Sequence, residues 1–207
     1  MDNISGTKEL IFDSFVELIS ALGYENVSMR DIAEKVGIKV ASLYNHFESK
    51  QSMLDYAYNY YSLHYFDNRK TIEEMKKIVE TAGAEEIVYA FASNFMTEDQ
   101  KKYVRMILIT KIIYMRLFQD AAANKMYYEH NINDIEYVEN ILQYGIDIGR
   151  LDPGFDLATF ADILIGSMTI MGINAFAGTA AYQARQLDQE KGLLAMLTRL
   201  FSTALLK

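Results

Sequence analysis

The sequence predicts an all-α protein with an N-terminal three-helix module, containing a helix-turn-helix, followed by a larger helical domain. Three observations carry this. Apolar residues recur at helical spacing along almost the whole chain, with no convincing period-two alternation. Only one of the 207 residues is proline, so few segments are barred from a helix interior. Glycines and capping patterns divide the chain into segments of helical length.

The first helix spans 7 to 22, where Ile11, Phe15, Leu18, Ile19 and Leu22 fall on one face and Gly23 ends the run. Ser28 followed by Asp31 matches a capping box, so a second helix starts there; Ile32, Ala33 and Val36 give it an apolar side before Gly37 stops it. The third helix is short, 40 to 47, because Ser49 is a new N-cap. At 100° per residue Leu43 and Phe47 share its buried edge, Ala41, Ser42 and Asn45 point away, and Tyr44 and His46 flank them. Two short helices about a glycine turn, one with small and polar groups outward, make a helix-turn-helix.

Longer helices follow at 50 to 66, 71 to 80, 84 to 95, 99 to 119, 121 to 149 with internal breaks unplaced, 156 to 177 and 188 to 206. Asp152, Pro153 and Gly154 form the clearest turn. The expected division is 1–49 as the helix-turn-helix module and 50–207 as the larger helical domain.

Composition narrows the classes. With no cysteine, disulfides and cysteine-ligated zinc are excluded, and a reducing compartment fits. The net charge is −8, and the first fifty residues hold five cationic against eight acidic side chains, so any grip on a polyanion must be local. Residues 163 to 184 carry no charge, yet Ser167, Thr169, Asn174 and several glycines interrupt them, which favours a buried or interface helix over a membrane span. No secretory signal is expected at the start, and a cytoplasmic location follows.

No nucleophile elbow, phosphate loop, dinucleotide glycine fingerprint or metal-binding histidine pair occurs, so neither enzyme activity, nor a metal, nor a cofactor is expected. Aromatic and methionine groups that include Tyr61, His64, Tyr65, Phe91, Met106 and Tyr114 could line a cavity for a small hydrophobic or aromatic effector. The alternative reading of the same residues is a helical carrier or enzyme. The small-residue and apolar pattern near 156–177, with Leu193, Leu194, Leu197, Leu200 and Phe201 near 188–206, suits a two-fold four-helix interface between copies of the chain.

One segment is more specific than any of this. Ile32-Ala33, the turn glycine Gly37, then Leu43-Tyr44-Asn45-His46-Phe47-Glu48-Ser49-Lys50, after an amphipathic helix closed by glycine, resembles the DNA-binding module of the TetR family of bacterial transcription regulators. The resemblance covers about residues 7 to 55. It implies a homodimer that lays the third helix of each subunit in the major groove of operator DNA and is released by a small molecule, as a repressor. By the same resemblance Ser28, Tyr44, His46 and Lys50 meet phosphates, and Arg30, Val40, Ala41, Ser42 and Asn45 lie nearest the bases. Chemistry is compatible with this, since an asparagine amide pairs with adenine and a guanidinium with guanine. Two positions depart from the family pattern. Lys39 stands where a hydroxyl is usual and can offer an ion contact, and Val40 can offer only an apolar one.

Overall fold

A computed structural model describes residues 6–94, 99–174 and 180–206, and the side chains of these except 171–174 and 180–190. Its helices are α1 (Thr7–Leu22), α2 (Met29–Val36), α3 (Val40–Tyr44), α4 (Lys50–His64), α5 (Ile72–Thr81), α6 (Ala84–Ser93), α7 (Gln100–Arg116), α8 (Ala121–Asp147), α9 (Leu157–Asn174) and α10 (Ala180–Ser202). A 3-10 turn, Tyr24–Asn26, sits between α1 and α2. Among the described residues the one extended pairing is an isolated antiparallel bridge, Leu151 to Leu205, and no helix is long and apolar enough to cross a membrane.

The chain packs as two compact units. The first comprises 1–67 and 97–127, the second 68–96 and 128–207, so α8 contributes to both. These packing units are cut elsewhere than at 49/50, because Met53, Leu54 and Ala57 of α4 and Ile109, Ile112 and Ile113 of α7 are buried in the same core as Ile11, Phe12 and Phe15 of α1. The second core joins Met75 and Val79 of α5, Ile87 and Phe91 of α6, Ile141 and Leu142 of α8, Phe160 and Leu164 of α9, and Leu197 and Phe201 of α10.

Local chemistry explains the boundaries. Ser28, Ser49 and Thr71 each accept the backbone N–H three residues on, and each donates its own N–H to that residue's side chain, so α2, α4 and α5 start on capping boxes. Gly37 ends α2 with φ 78°, a left-handed conformation in which the Ile38 N–H reaches back to the Ala33 carbonyl at 3.0 Å. Gly145 is needed for space rather than for φ: a Cβ there would come within 2.7 Å of Leu151 Cδ1 and 3.1 Å of Val79 Cγ1.

Three segments differ from the sequence-based expectation. The third helix stops at Tyr44 rather than at 47, because the His46 and Phe47 N–H groups both turn onto the Leu43 carbonyl, at 2.9 and 3.1 Å. α8 is one helix of 27 residues without an internal break. α10 begins at Ala180, eight residues before the expected start at 188, since the run from 180 to 187 holds no glycine or proline to oppose a helix. Residues 175–177 of the expected 156–177 helix, with Ala175 and Gly178, lie outside the described residues, as do the side chains of Met171, Gly172 and Ile173.

Candidate nucleic-acid interface

The interface is built from what the core removes. Leu43 is fully buried and Phe47 nearly so, and Phe47 meets the Tyr56 ring edge-on at 5.6 Å, which anchors a five-residue helix too short to stand alone. With that edge fixed, Lys39, Ala41, Tyr44, Asn45 and His46 are exposed, Tyr44 at 50%. Ser42 and Val40 are half-buried, and Val40 packs against the core of the first unit. Asn45 is the C-cap of α3 in right-handed helical conformation. Lys39 stands at the N-cap of α3 but makes no side-chain capping bond, which leaves its ammonium without a helix-capping duty.

On α2, Arg30 is exposed. Ser28 donates its N–H and its hydroxyl to Asp31 Oδ2, both at 2.7 Å, and accepts the Asp31 N–H at 3.2 Å. Those two donors, the hydroxyl first, hold the exposed Asp31 carboxyl below its ordinary value. The Ser28 hydroxyl is therefore already engaged in the cap, with its remaining acceptor capacity facing solvent.

Lys50 is half-buried. Its ammonium donates to the carbonyls of Tyr24 at 2.6 Å and Val27 at 2.9 Å, and lies 4.1 Å from the centroid of the Tyr24 ring. Two of its three N–H donors are thus committed to the turn that leads into α2.

A cluster of charges that no single sequence position reveals bears on the net negative charge. Arg105 of α7, 8% exposed, donates from Nε to Asp13 at 2.7 Å, from Nη2 to Glu9 at 3.0 Å and from Nη1 to the Tyr60 hydroxyl at 3.2 Å. Lys101 adds bonds to Glu9 at 2.8 Å and Asp13 at 3.2 Å. Burial opposes the Arg105 charge, but the bonds to Tyr60, Glu9 and Asp13 outweigh it and raise its pKa. Lys101 and then Arg105 hold the Glu9 carboxyl below its ordinary value. Glu17 is paired to Lys35 at 2.9 Å. Two of the acidic groups in the N-terminal count, Glu9 and Asp13, are thus offset by cations from outside the first fifty residues. The signal was present in the sequence as two matching ladders, Glu9/Asp13 on α1 and Lys101/Arg105 on α7, each spaced i, i+4.

The effector candidates are distributed. Tyr61 is buried and its ring lies 5.1 Å from that of Tyr65; His64 stacks at 4.4 Å on Tyr60 and its Nδ1 is 2.6 Å from Asp67 Oδ2. Tyr114 meets Tyr127 edge-on at 5.3 Å, and Met106 is half-buried against the same core. These five belong to the first unit, whereas Phe91 is buried in the core of the second. A cleft of about 350 Å³ opens in the second unit, lined by Asp152, Phe155, Asp156, Phe160, Ile163 and Leu200 among others, none of them an expected effector contact.

A short glycine-turned helix pair with its apolar edge buried and its polar side chains outward defines a helix-turn-helix protein. Residues 11–57 match the model described as "Bacterial regulatory proteins, tetR family". Over 99 residues it is 31% identical to the biofilm operon icaADBC HTH-type negative transcriptional regulator IcaR of Staphylococcus aureus, covering 48% of this chain and 50% of IcaR; the chain spans about half the length of the curated relatives it matches. Two solved structures share the fold at low identity. The ketosteroid transcriptional regulator KstR2 of Mycobacterium tuberculosis superposes with TM-score 0.62 and 18% identity, covering 94% of this chain and 96% of KstR2. A transcriptional regulator from Saccharomonospora viridis, in complex with choline, gives TM-score 0.65 and 16% identity, covering 97% of each chain.

Proposed function

We propose that this protein is a homodimeric transcriptional repressor that binds operator DNA through α2 and α3 and is released by a small molecule. The observation that carries the reading is the division of α3 by direction, Leu43 and Phe47 inward and Ala41, Tyr44, Asn45 and His46 outward, within a segment that matches the tetR family. In this reading 1–49 reads DNA and 50–207 holds the effector and the second subunit. Arg30, Ala41, Ser42 and Asn45 lie nearest base edges, with Val40 limited to apolar contact; Lys39, Tyr44 and His46 meet the backbone, and Ser28 joins them when its hydroxyl turns from Asp31 to a phosphate oxygen. Repression is supported by the likeness to a negative regulator, and small-molecule control by a regulator of the same fold that holds choline.

Dimerisation through α9 and α10 is supported by large apolar side chains left exposed on both helices, Ile163 and Ile170 on the first, Met196 and Leu200 on the second. An effector that binds the low-affinity conformation better lowers operator affinity, and operator lowers effector affinity by the same factor.

The test is a gel shift with DNA from upstream of the protein's own gene. Specific retardation is expected, and Tyr44→Ala should weaken it about tenfold to a hundredfold, the loss of one or two charge-independent contacts of about 1–3 kcal/mol. Helicity and dimer mass should be unchanged. A complete lack of sequence-specific retardation by the wild-type protein would sink the reading.

A further inference from the structure

We propose that Tyr24 is a positioning residue for DNA recognition, clasped by Lys50 of α4 and Arg116 of α7 so that the turn from which α2 starts is held in place. This rests on the DNA-binding reading above. The Tyr24 ring carries two cations, the Lys50 ammonium at 4.1 Å and the Arg116 guanidinium at 4.4 Å from its centroid. Its hydroxyl donates to Gln51 Oε1 at 3.1 Å, and its carbonyl accepts from Lys50 at 2.6 Å. The same ammonium takes the Val27 carbonyl at 2.9 Å, one residue before the α2 cap at Ser28.

Arg116 is itself held. Its Nε donates to Asp120 Oδ2 at 3.0 Å, and the same oxygen accepts the Tyr58 hydroxyl at 3.1 Å. The end of α7 therefore reaches the turn through the Tyr24 ring and, more loosely, through the Glu25 carboxylate 3.8 Å from Arg116 Nη1, and the turn sets where Ser28 and Arg30 stand. A hydrogen bond to a charged donor is stronger than one between neutral groups, and the two carbonyl bonds of Lys50 lie in part-buried surroundings where screening is reduced. Lys50 acts on DNA through this geometry rather than as a phosphate ligand. The distinction is measurable, because a lost phosphate contact lowers the salt dependence of binding by about 0.9 per subunit in the slope of log K against log salt, whereas a lost positioning bond lowers affinity alone.

The experiment uses the full chain and a labelled fragment of its own upstream DNA, titrated by anisotropy at several salt concentrations. Helicity and thermal midpoint are followed in parallel, so that binding is compared where each variant is folded. Tyr24→Leu, Arg116→Met and Lys50→Met are each expected to weaken specific binding at least tenfold with the salt slope unchanged, and Lys50→Met should add little to Tyr24→Leu. Tyr24→Phe, which keeps the ring, should recover most of what Tyr24→Leu loses. If Tyr24→Leu fails to fold, Arg116→Met against Arg116→Lys decides, with affinity lost in the first and recovered in the second. Wild-type affinity in Arg116→Met and Tyr24→Leu overturns the proposal, as does a Lys50→Met slope lowered by about one per subunit. Absence of specific binding by the wild-type chain removes the underlying reading as well; wild-type binding with unaffected variants removes this proposal alone.

Discussion

At the scale of single residues, Arg105 shows how one buried cation reorders a surface. Two carboxylates of α1 and a phenol of α4 converge on it, and Lys101 of its own helix pairs with the same carboxylates, so Arg105→Met should leave Glu9 and Asp13 with Lys101 alone and an apolar side chain at their buried edge. The carboxylates are 25% and 22% exposed, which places the cost between a fully buried broken pair and a surface one, at about 2 kcal/mol, readable as a lowered urea midpoint at unchanged slope. The pH dependence follows from direction. The Glu9 carboxyl titrates below its ordinary 4.5 in the folded chain, so the unfolded chain binds the proton first. The stabilisation is complete above pH 4.5 and is lost as pH falls through the folded value. Urea midpoints taken from pH 6 down to pH 3.5 should fall for the wild type, and less steeply for Arg105→Met. No single position of the sequence announces this cluster, since each charge alone reads as an ordinary solvated helix face; only the pairing of two i, i+4 ladders betrays it.

At the scale of elements, much of the fold was legible because the signals are local. The capping box at Ser28, the N-cap at Ser49 and the turn glycine Gly37 mark helix ends through bonds within a few residues, and the inward edge of α3 follows from the 100° step alone. Features that depend on distant partners were not legible. The commitment of Lys50 to carbonyls 23 and 26 residues away is one, and the close approach at Gly145 is another. Gly145→Ala gains roughly 1 kcal/mol of helix propensity, but the added methyl would come within 2.7 Å of Cδ1 and 2.9 Å of Cγ of the fully buried Leu151. Overpacking of this kind costs about 1–3 kcal/mol, so a net loss is expected and the thermal midpoint should fall by a few degrees. Gly37→Ala should also destabilise, by about 1 kcal/mol, through the left-handed backbone alone, and its loss should not respond to trimming any neighbour, since a Cβ at Gly37 meets nothing within 4 Å. Trimming Leu151 to Val, in contrast, should restore part of the Gly145→Ala loss.

At the scale of the whole molecule, a chain of net charge −8 that reads DNA cannot rely on its general field. Pairing Glu9 and Asp13 with Lys101 and Arg105 removes part of the opposition, and in the proposed dimer two-fold symmetry would double the contacts, because a dimer meets two half-sites one or more helical turns apart. The proposed dimer face can be tested independently of DNA. Ile163 and Leu200, 39% and 42% exposed, both border the cleft of the second unit, and in a two-fold interface each substitution is made twice. Ile163→Asp together with Leu200→Asp would place four carboxylates in that interface per dimer, a desolvation and repulsion cost of several kcal/mol. Sedimentation equilibrium should then show a mass near the 23.7 kDa of one chain, where the wild type gives twice that. The helical signal should persist, since both side chains are already partly exposed in the single chain. If symmetry supplies what charge does not, the monomer keeps an intact helix-turn-helix and still loses operator affinity by orders of magnitude. A wild-type mass equal to one chain, or a doubly substituted protein that still dimerises, would move the interface away from α9 and α10.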